Sequence, residues 1–360
     1  MIRVLVVDDS ALVRKLFGRV LGDQADFEVQ FARNGVEALQ RVEEFRPAVV
    51  TLDVQMPEMN GLECLDRIMV ENPCPVVMVS SRTADGAEET LEALRLGAVD
   101  FVLKPAGAVS LKIDEFAPQL VQKIRVAATA KLKASTRLRE RVLHRTRQRE
   151  RPRAAEGKRR SARASGNGLV LVGTSTGGPT ALEAFLSPLP ASFPWPILVA
   201  QHMPATFTGA LAKRLDDLCA LHVVEVSRPT KLEAGTVYIG RGDADLIVTK
   251  RSGSLMAMSA PAEAHYPWHP STNRLVTSAL GYVPPTQLIG VLMTGMGNDG
   301  AAAMTRLREL GGMTIAESKD TAVIWGMPGE LVAAGGADWT EPVQKIAARL
   351  QELTPSAADS

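Results

Sequence analysis

Cysteine is scarce in this chain, three in 360 residues, and Cys64, Cys74 and Cys219 lack the close spacing of metal ligands. An odd, scattered set of thiols argues against a disulfide framework and a cysteine-held metal, and leaves them as small buried hydrophobes. Aromatic residues are also few, at 4%. No apolar run approaches the roughly 20 residues that a bilayer-spanning helix needs. The N-terminus, Met1-Ile-Arg-Val-Leu-Val-Val-Asp8, meets acidic residues too early for a secretory signal. These absences predict a cytoplasmic protein without direct membrane insertion. The chain is long for one domain and predicts two, each with its own core.

A net charge of +1 conceals an uneven distribution, because 14 Lys/Arg face only three acids between Lys131 and Arg163. This stretch has few large apolar residues and turns Ala/Gly/Ser-rich toward Gly168, so it reads as a solvated linker whose N-terminal part is helical. It carries neither interleaved aromatics nor a helix-turn-helix, which argues against a nucleic-acid partner. The expected organisation is a first domain over residues 1–124, a basic linker over 125–166, a second domain over 167–352 and a tail over 353–360.

The first 125 residues alternate short apolar runs with helix-period segments. Strands are expected at Arg3–Val7, Glu28–Ala32, Ala48–Leu52, Pro75–Val79 and Val99–Leu103. Five βα repeats imply a parallel, doubly wound sheet, in which ligands bind beyond the C-terminal strand ends. Those ends carry Asp8 and Asp9, Asp53, Ser80 and Lys104. Crowded carboxylates need a hard divalent cation between them, and Mg²⁺ suits a few carboxylates plus phosphate oxygens. Asp53 is then a nucleophile toward a phosphoryl donor, with Lys104 neutralising developing charge and Ser80 gripping the new phosphoryl oxygen.

This constellation, with Asp53-Val-Gln-Met-Pro57 and Lys104-Pro105, closely resembles the receiver domain of two-component response regulators. The resemblance implies a flavodoxin-like five-stranded fold and Mg²⁺-dependent phosphorylation of Asp53. It also implies metal ligation by Asp8, Asp9, Asp53 and the backbone carbonyl of Gln55, with Ser80 and Lys104 as switch residues. Phe101 stands where the family has an aromatic rotamer switch; a core aromatic of the fifth strand fits the same position.

In the second half, Leu169-Val-Leu-Val-Gly173-Thr-Ser175-Thr-Gly177-Gly178 runs an apolar strand into a Gly-flanked serine and a helix opening at Pro179. That pattern fits an exposed nucleophile, and equally a structural turn or one that cradles a phosphate. His202 follows the apolar run Pro196–Ala200, and Asp299 follows Gln287–Thr294 through Gly295-Met-Gly-Asn298. If these strands are parallel neighbours, serine, histidine and aspartate meet at one sheet edge, as acyl transfer requires. His202 would serve as general base and acid, Asp299 would hold its tautomer, and backbone amides of Gly295–Asn298 or beside Ser175 would receive the oxyanion. Thr176 fits either a group orienting the histidine or a helix cap. The order Ser, His, Asp differs from that of α/β-hydrolases and predicts another fold.

Gly173-Thr-Ser-Thr-Gly-Gly178, Gln201-His-Met-Pro204, Met293-Thr-Gly-Met-Gly-Asn-Asp-Gly300 and Trp325-Gly-Met-Pro328 resemble segments of the chemotaxis protein-glutamate methylesterase (CheB) family. With the receiver in front, the resemblance spans nearly the whole chain and implies a C-terminal doubly wound α/β methylesterase domain. It implies a Ser175, His202, Asp299 triad, with the Met296 amide in the oxyanion hole and Thr176 in support. The implied activity is hydrolysis of glutamyl methyl esters on methyl-accepting chemoreceptors, with release of methanol, and deamidation of specific receptor glutamines, without a cofactor for the esterase step. A chemotaxis histidine kinase is the implied phosphodonor, and phosphorylation would relieve cover of the catalytic face by the receiver. A non-catalytic signalling adaptor with a vestigial triad is the competing class; a DNA-binding regulator lacks a recognition helix.

Two segments depart from the family pattern. Gly240-Arg-Gly-Asp243-Ala244-Asp245 stands where Ala-Pro-Gly-Asp and a histidine are usual, and Pro270-Ser-Thr-Asn273 replaces a carboxylate with an amide. His144, His222, His265 and His269 show no partner constellation and read as surface or packing histidines. Pro267 and Pro270 argue against a helical metal pair at His265 and His269.

Overall fold

The computed structural model describes residues 1–81, 83–104, 113–131 and 168–354. They divide into two compact units, the first holding residues 1–81 and the stretch from 92 to 131, the second holding residues 83–91 and 168–354. No helix among the described residues is long and apolar enough to cross a membrane. Beyond residue 131 the basic linker lies outside the described residues, as does the tail beyond 354.

In the N-terminal sheet, short β-branched runs pair in parallel. Its elements are β1 (Ile2–Val7), α1 (Ala11–Gly22), β2 (Phe27–Ala32), α2 (Gly35–Phe45), β3 (Val49–Asp53), α3 (Gly61–Glu71), β4 (Val76–Ser80), α4 (Ala84–Leu96), β5 (Asp100–Leu103) and α5 (Ile113–Ala127). The sheet order is β2-β1-β3-β4-β5, as the five βα repeats predict. Residues Val4–Val7 and all of β3 and β4 are buried, because helices cover both sheet faces. Asn34 and Asn60 cap α2 and α3 by accepting the amides of Glu37 and Glu63. Two strand ends lie one residue later than expected. Asp53 pairs with Val79, and Ser80 with Leu103, so both functional candidates are the last residues of their strands.

The second unit runs β6 (Leu169–Thr174), α6 (Gly178–Leu186), β7 (Ile197–Gln201), α7 (Ala205–Leu218), β8 (His222–Val226), β9 (Thr230–Lys231), β10 (Thr236–Gly240), β11 (Ala244–Arg251) and β12 (Ser254–Pro261). It continues with α8 (Thr272–Leu280), β13 (Leu288–Leu292), α9 (Ala301–Glu309), β14 (Met313–Glu317), α10 (Met327–Ala333), β15 (Trp339–Glu341) and α11 (Val343–Leu353). Seven parallel strands form one sheet in the order β15-β14-β13-β6-β7-β10-β8. The chain winds outward from β6 on one side, returns, and winds outward from β13 on the other. The switch point therefore falls between β6 and β13.

Sequence patterning did not anticipate a small antiparallel sheet, β11-β12-β9. Its hairpin turns at Ser252-Gly253, both with positive φ (47° and 82°), the conformation that matches the strand twist. β13 is shorter than its apolar run suggests: Met293 and Thr294 remain buried but leave the ladder and enter the loop to Asp299.

Candidate active site and receiver site

At the end of the N-terminal sheet, ligand oxygens of Asp8, Asp9 and Asp53 all lie within 4.8 Å of one another. Lys104 Nζ donates to Asp53 Oδ2 at 2.6 Å and lies 3.0 Å from Asp8 Oδ2. Burial pushes the Asp53 carboxyl up to about 6, against the pull of Lys104, and the Asp8 charge adds to the rise. Lys104 is raised despite its own burial, because both carboxylates favour its ammonium. Three hard oxygen donors at one point fit a divalent cation.

The Gln55 amide lies 3.5 Å from Asp53 Oδ1, putting this residue beside the cluster. Ser80 is buried one strand over, its hydroxyl donating to the Ser81 carbonyl at 3.2 Å. Phe101 is buried in β5 with Lys123 Nζ 5.2 Å over its ring. Arg14, not singled out from sequence, clamps the Asp8 and Asp9 carbonyls at 2.6 and 2.9 Å.

The second site is assembled at the ends of β13, β6 and β7, three adjacent strands. Ser175 follows β6 directly, and its amide donates to the Thr294 carbonyl at 2.9 Å. His202 follows β7, with its amide on the Thr174 carbonyl at 3.0 Å. Gln201 Nε2 ties the Ser175 and His202 carbonyls together at 3.0 and 3.1 Å. Gly177, with φ 78°, supplies the left-handed turn into α6 and is its N-cap, so the capping role considered for Thr176 falls to its neighbour. Thr176 instead offers its carbonyl to the Thr294 hydroxyl at 2.9 Å.

His202 Nε2 donates to Asp299 Oδ2 at 2.8 Å, and the other ring nitrogen, Nδ1, is buried without a hydrogen-bond partner among the described residues. No hydrogen bond joins it to Ser175 Oγ. The unsatisfied Nδ1 is the ring nitrogen left able to accept a proton. Asp299 is buried at the N-terminus of α8. It accepts the Ser271 hydroxyl at 3.0 Å and the amides of Thr272 and Asn273 at 2.6 and 3.1 Å. Burial opposes its ionisation, but the His202 bond and these amides outweigh that and hold its carboxyl below the usual value.

The loop from Met293 to Gly300 is held against the serine by close packing. A methyl group on Gly295 would lie 2.7 Å from Ser175 Cβ, so only glycine fits. Gly295 donates to the Ile324 carbonyl at 3.1 Å and accepts from the Gly326 and Met327 amides at 3.1 and 2.8 Å, which explains the Trp325-Gly-Met-Pro328 segment. Met296 follows, half-buried.

Sequence reasoning missed three groups here. Trp268 stacks on His202, ring centroids 6.0 Å apart and planes 4° from parallel. Ser271 grips Asp299. Asp245, fully buried, accepts from His269 Nδ1 at 2.9 Å, the Ser271 amide at 2.7 Å and Arg274 Nη1 at 2.7 Å. His269 is thus not a packing residue without partner, and His222 likewise pairs with Asp216 at 3.0 Å. His144 lies outside the described residues. Both departures from the family pattern are accounted for locally: Asp245 anchors the loop, and Asn273 Oδ1 accepts the Ala303 amide at 3.1 Å near the start of α9.

Comparison with known proteins gives the same two-part division. Residues 170–350 match the CheB methylesterase family model, and residues 4–113 match the response regulator receiver domain. A protein-glutamate methylesterase/protein-glutamine glutaminase 2 of Rhodopseudomonas palustris is 58% identical over 98% of both chains. A counterpart numbered 3 from Rhodospirillum rubrum is 49% identical over 97% of this chain and 95% of its own. The crystal structure of the Thermotoga maritima CheB methylesterase catalytic domain covers 52% of this chain and all of its own, with 35% identity and a TM-score of 0.51.

Proposed function

The chain belongs to the CheB methylesterase family, joined to a receiver domain, and from that premise we propose how its residues divide the work. It is a protein-glutamate methylesterase and protein-glutamine glutaminase acting in chemotaxis. Its substrates are glutamyl methyl esters and particular glutamines on methyl-accepting chemoreceptors, and a chemotaxis histidine kinase supplies its phosphoryl group.

Ser175 Oγ attacks the side-chain carbonyl carbon as His202 Nδ1 takes its proton. The carbonyl oxygen, now an oxyanion, turns toward the Met296 amide. As the tetrahedral centre collapses, the C–OCH₃ bond breaks and His202 returns the proton, so methanol leaves and an acyl-serine remains. Water then attacks the acyl group, its proton passing to His202 and on to Ser175, and glutamate is released. With glutamine as substrate the leaving group is ammonia and every other step is the same. Asp299 keeps a proton on Nε2 and stabilises the imidazolium. The observation that carries this reading is the 2.8 Å bond between His202 and Asp299, which leaves Nδ1 as the ring nitrogen able to act as base.

In the receiver, Asp8, Asp9 and Asp53, with the Gln55 carbonyl, would hold Mg²⁺. When bound, the ion neutralises charge on the incoming phosphoryl group. Asp53 Oδ is the nucleophile, Lys104 pairs with the product's charge, and Ser80 is the hydroxyl that responds. Phosphorylation at Asp53 raises esterase turnover. Purified protein is expected to release methanol from methylated receptor fragments, faster with a small-molecule phosphodonor and Mg²⁺. Release by Ser175→Ala at the wild-type rate would refute the assignment, and an undiminished phosphodonor response in Asp53→Ala would refute the control.

A further inference from the structure

We propose that Trp268 sets the preference of the Ser175 site for methyl esters over amides, an inference that rests on the hydrolase reading above. The indole lies parallel to the imidazole of His202, 6.0 Å between centroids. It also reaches the turn that carries Met296. Gly297, at φ 83°, has no room for a side chain, since a methyl group there would lie 2.9 Å from the indole Cζ2. One half-buried aromatic ring thus touches both the base and the oxyanion loop, two of the three groups that must surround a reacting carbonyl.

Its position fixes what it contacts. The leaving group departs with a proton from His202 Nδ1, so it lies beside the imidazole against which the indole is stacked. A flat apolar wall at that place suits a methoxy group, whose methyl gains from leaving water. It suits the NH₂ of an amide less well, because protons that lose water gain only a weak contact with an indole face.

The ring is held there by its own segment. Immediately after Trp268, His269 and the Ser271 amide are both fastened to the buried carboxylate of Asp245, at 2.9 and 2.7 Å. Beyond them Ser271 is fastened to Asp299 at 3.0 Å. The indole is thereby indexed to the same carboxylate that orients His202.

The test compares the full-length protein with Trp268→Ala and Trp268→Phe on two receptor fragments that differ only in carrying a glutamyl methyl ester or a glutamine. Methanol and ammonia release give kcat/KM for each. One methyl group removed from water is worth about fourfold, so the ester-to-amide ratio is expected to fall by about fourfold or more in Trp268→Ala. Trp268→Phe, which keeps an apolar face, should stay within about twofold of wild type. An equal loss on both substrates in Trp268→Ala, or an unchanged ratio, overturns the inference. Ser175→Ala separates the two levels of argument. If it still turns over both substrates, the hydrolase reading falls and this inference with it; if it is inactive while the ratio in Trp268→Ala is unchanged, this inference alone falls.

Discussion

Asp299 meets His202 through Oδ2 at 2.8 Å and, through the same oxygen, takes the Thr272 amide at 2.6 Å. One carboxylate oxygen therefore joins the base to the first turn of a helix. The imidazole is oriented by an element that itself carries partial positive charge, so the carboxylate stays ionised although it is buried.

Replacing Asp299 by Asn keeps the shape and removes the preference for a proton on Nε2. Turnover is expected to fall by roughly 10⁴-fold, the loss seen when such a carboxylate is neutralised, in a methanol-release assay. Stability should respond to pH with a definite sign. The carboxyl is lowered from 3.8, so its contribution is present above that value and lost as pH falls through its depressed value in the fold. The melting gap between wild type and variant should be widest near neutrality and close below pH 3.8. All four tryptophans belong to the second unit, so tryptophan fluorescence reports this melt alone.

Gly295→Ala places a methyl group against Ser175 Cβ and Met327. Displacement of the nucleophile by a fraction of an ångström should cost about 10²-fold or more in esterase kcat. Labelling of Asp53 by a phosphodonor should be unchanged, which distinguishes local displacement from general misfolding.

Asp53 offers the opposite pH signature. Its carboxyl is raised to about 6, so without Mg²⁺ the first unit has that contribution in full below 3.8 and loses it as pH rises through about 6. The loss amounts to about 3 kcal/mol. Asp53→Asn should not show it. Amide hydrogen exchange of Val49–Asp53 across pH 4 to 8 tests this, and equal pH dependence in the two proteins would contradict it.

Asp245→Asn should weaken the hold on Ser271 and on Arg274, whose guanidinium also contacts Glu263 and the Pro261 carbonyl. Because Asp245 touches neither nucleophile nor base, kcat is expected to drop by about tenfold with little change in KM, alongside a stability loss of about 1–3 kcal/mol.

The two candidate sites were legible in the sequence for a single physical reason. In parallel α/β sheets, chemistry gathers at C-terminal strand ends, and those ends can be read from apolar runs. Asp53 and Ser80 appeared there within one residue, as did Ser175 and His202. Asp245, in the first strand of the hairpin, and Trp268 and Ser271, in the segment after it, did not, because they owe their places to partners far away: Asp245 to Arg274, Ser271 to Asp299. No periodicity encodes that meeting. The hairpin itself had a signal, the Ser252-Gly253 pair between two alternating runs, which the parallel pattern around it obscured. Thr176 shows the limit of capping rules, since Gly177 with its positive φ took the position.

Strands β6, β7 and β13 each have a paired neighbour on both sides, and the reacting groups hang from their ends. Such backbone is the last in a domain to open, because nothing at a sheet edge can fray it. Warming should therefore separate these three strand ends only with the cooperative collapse of the seven-stranded sheet.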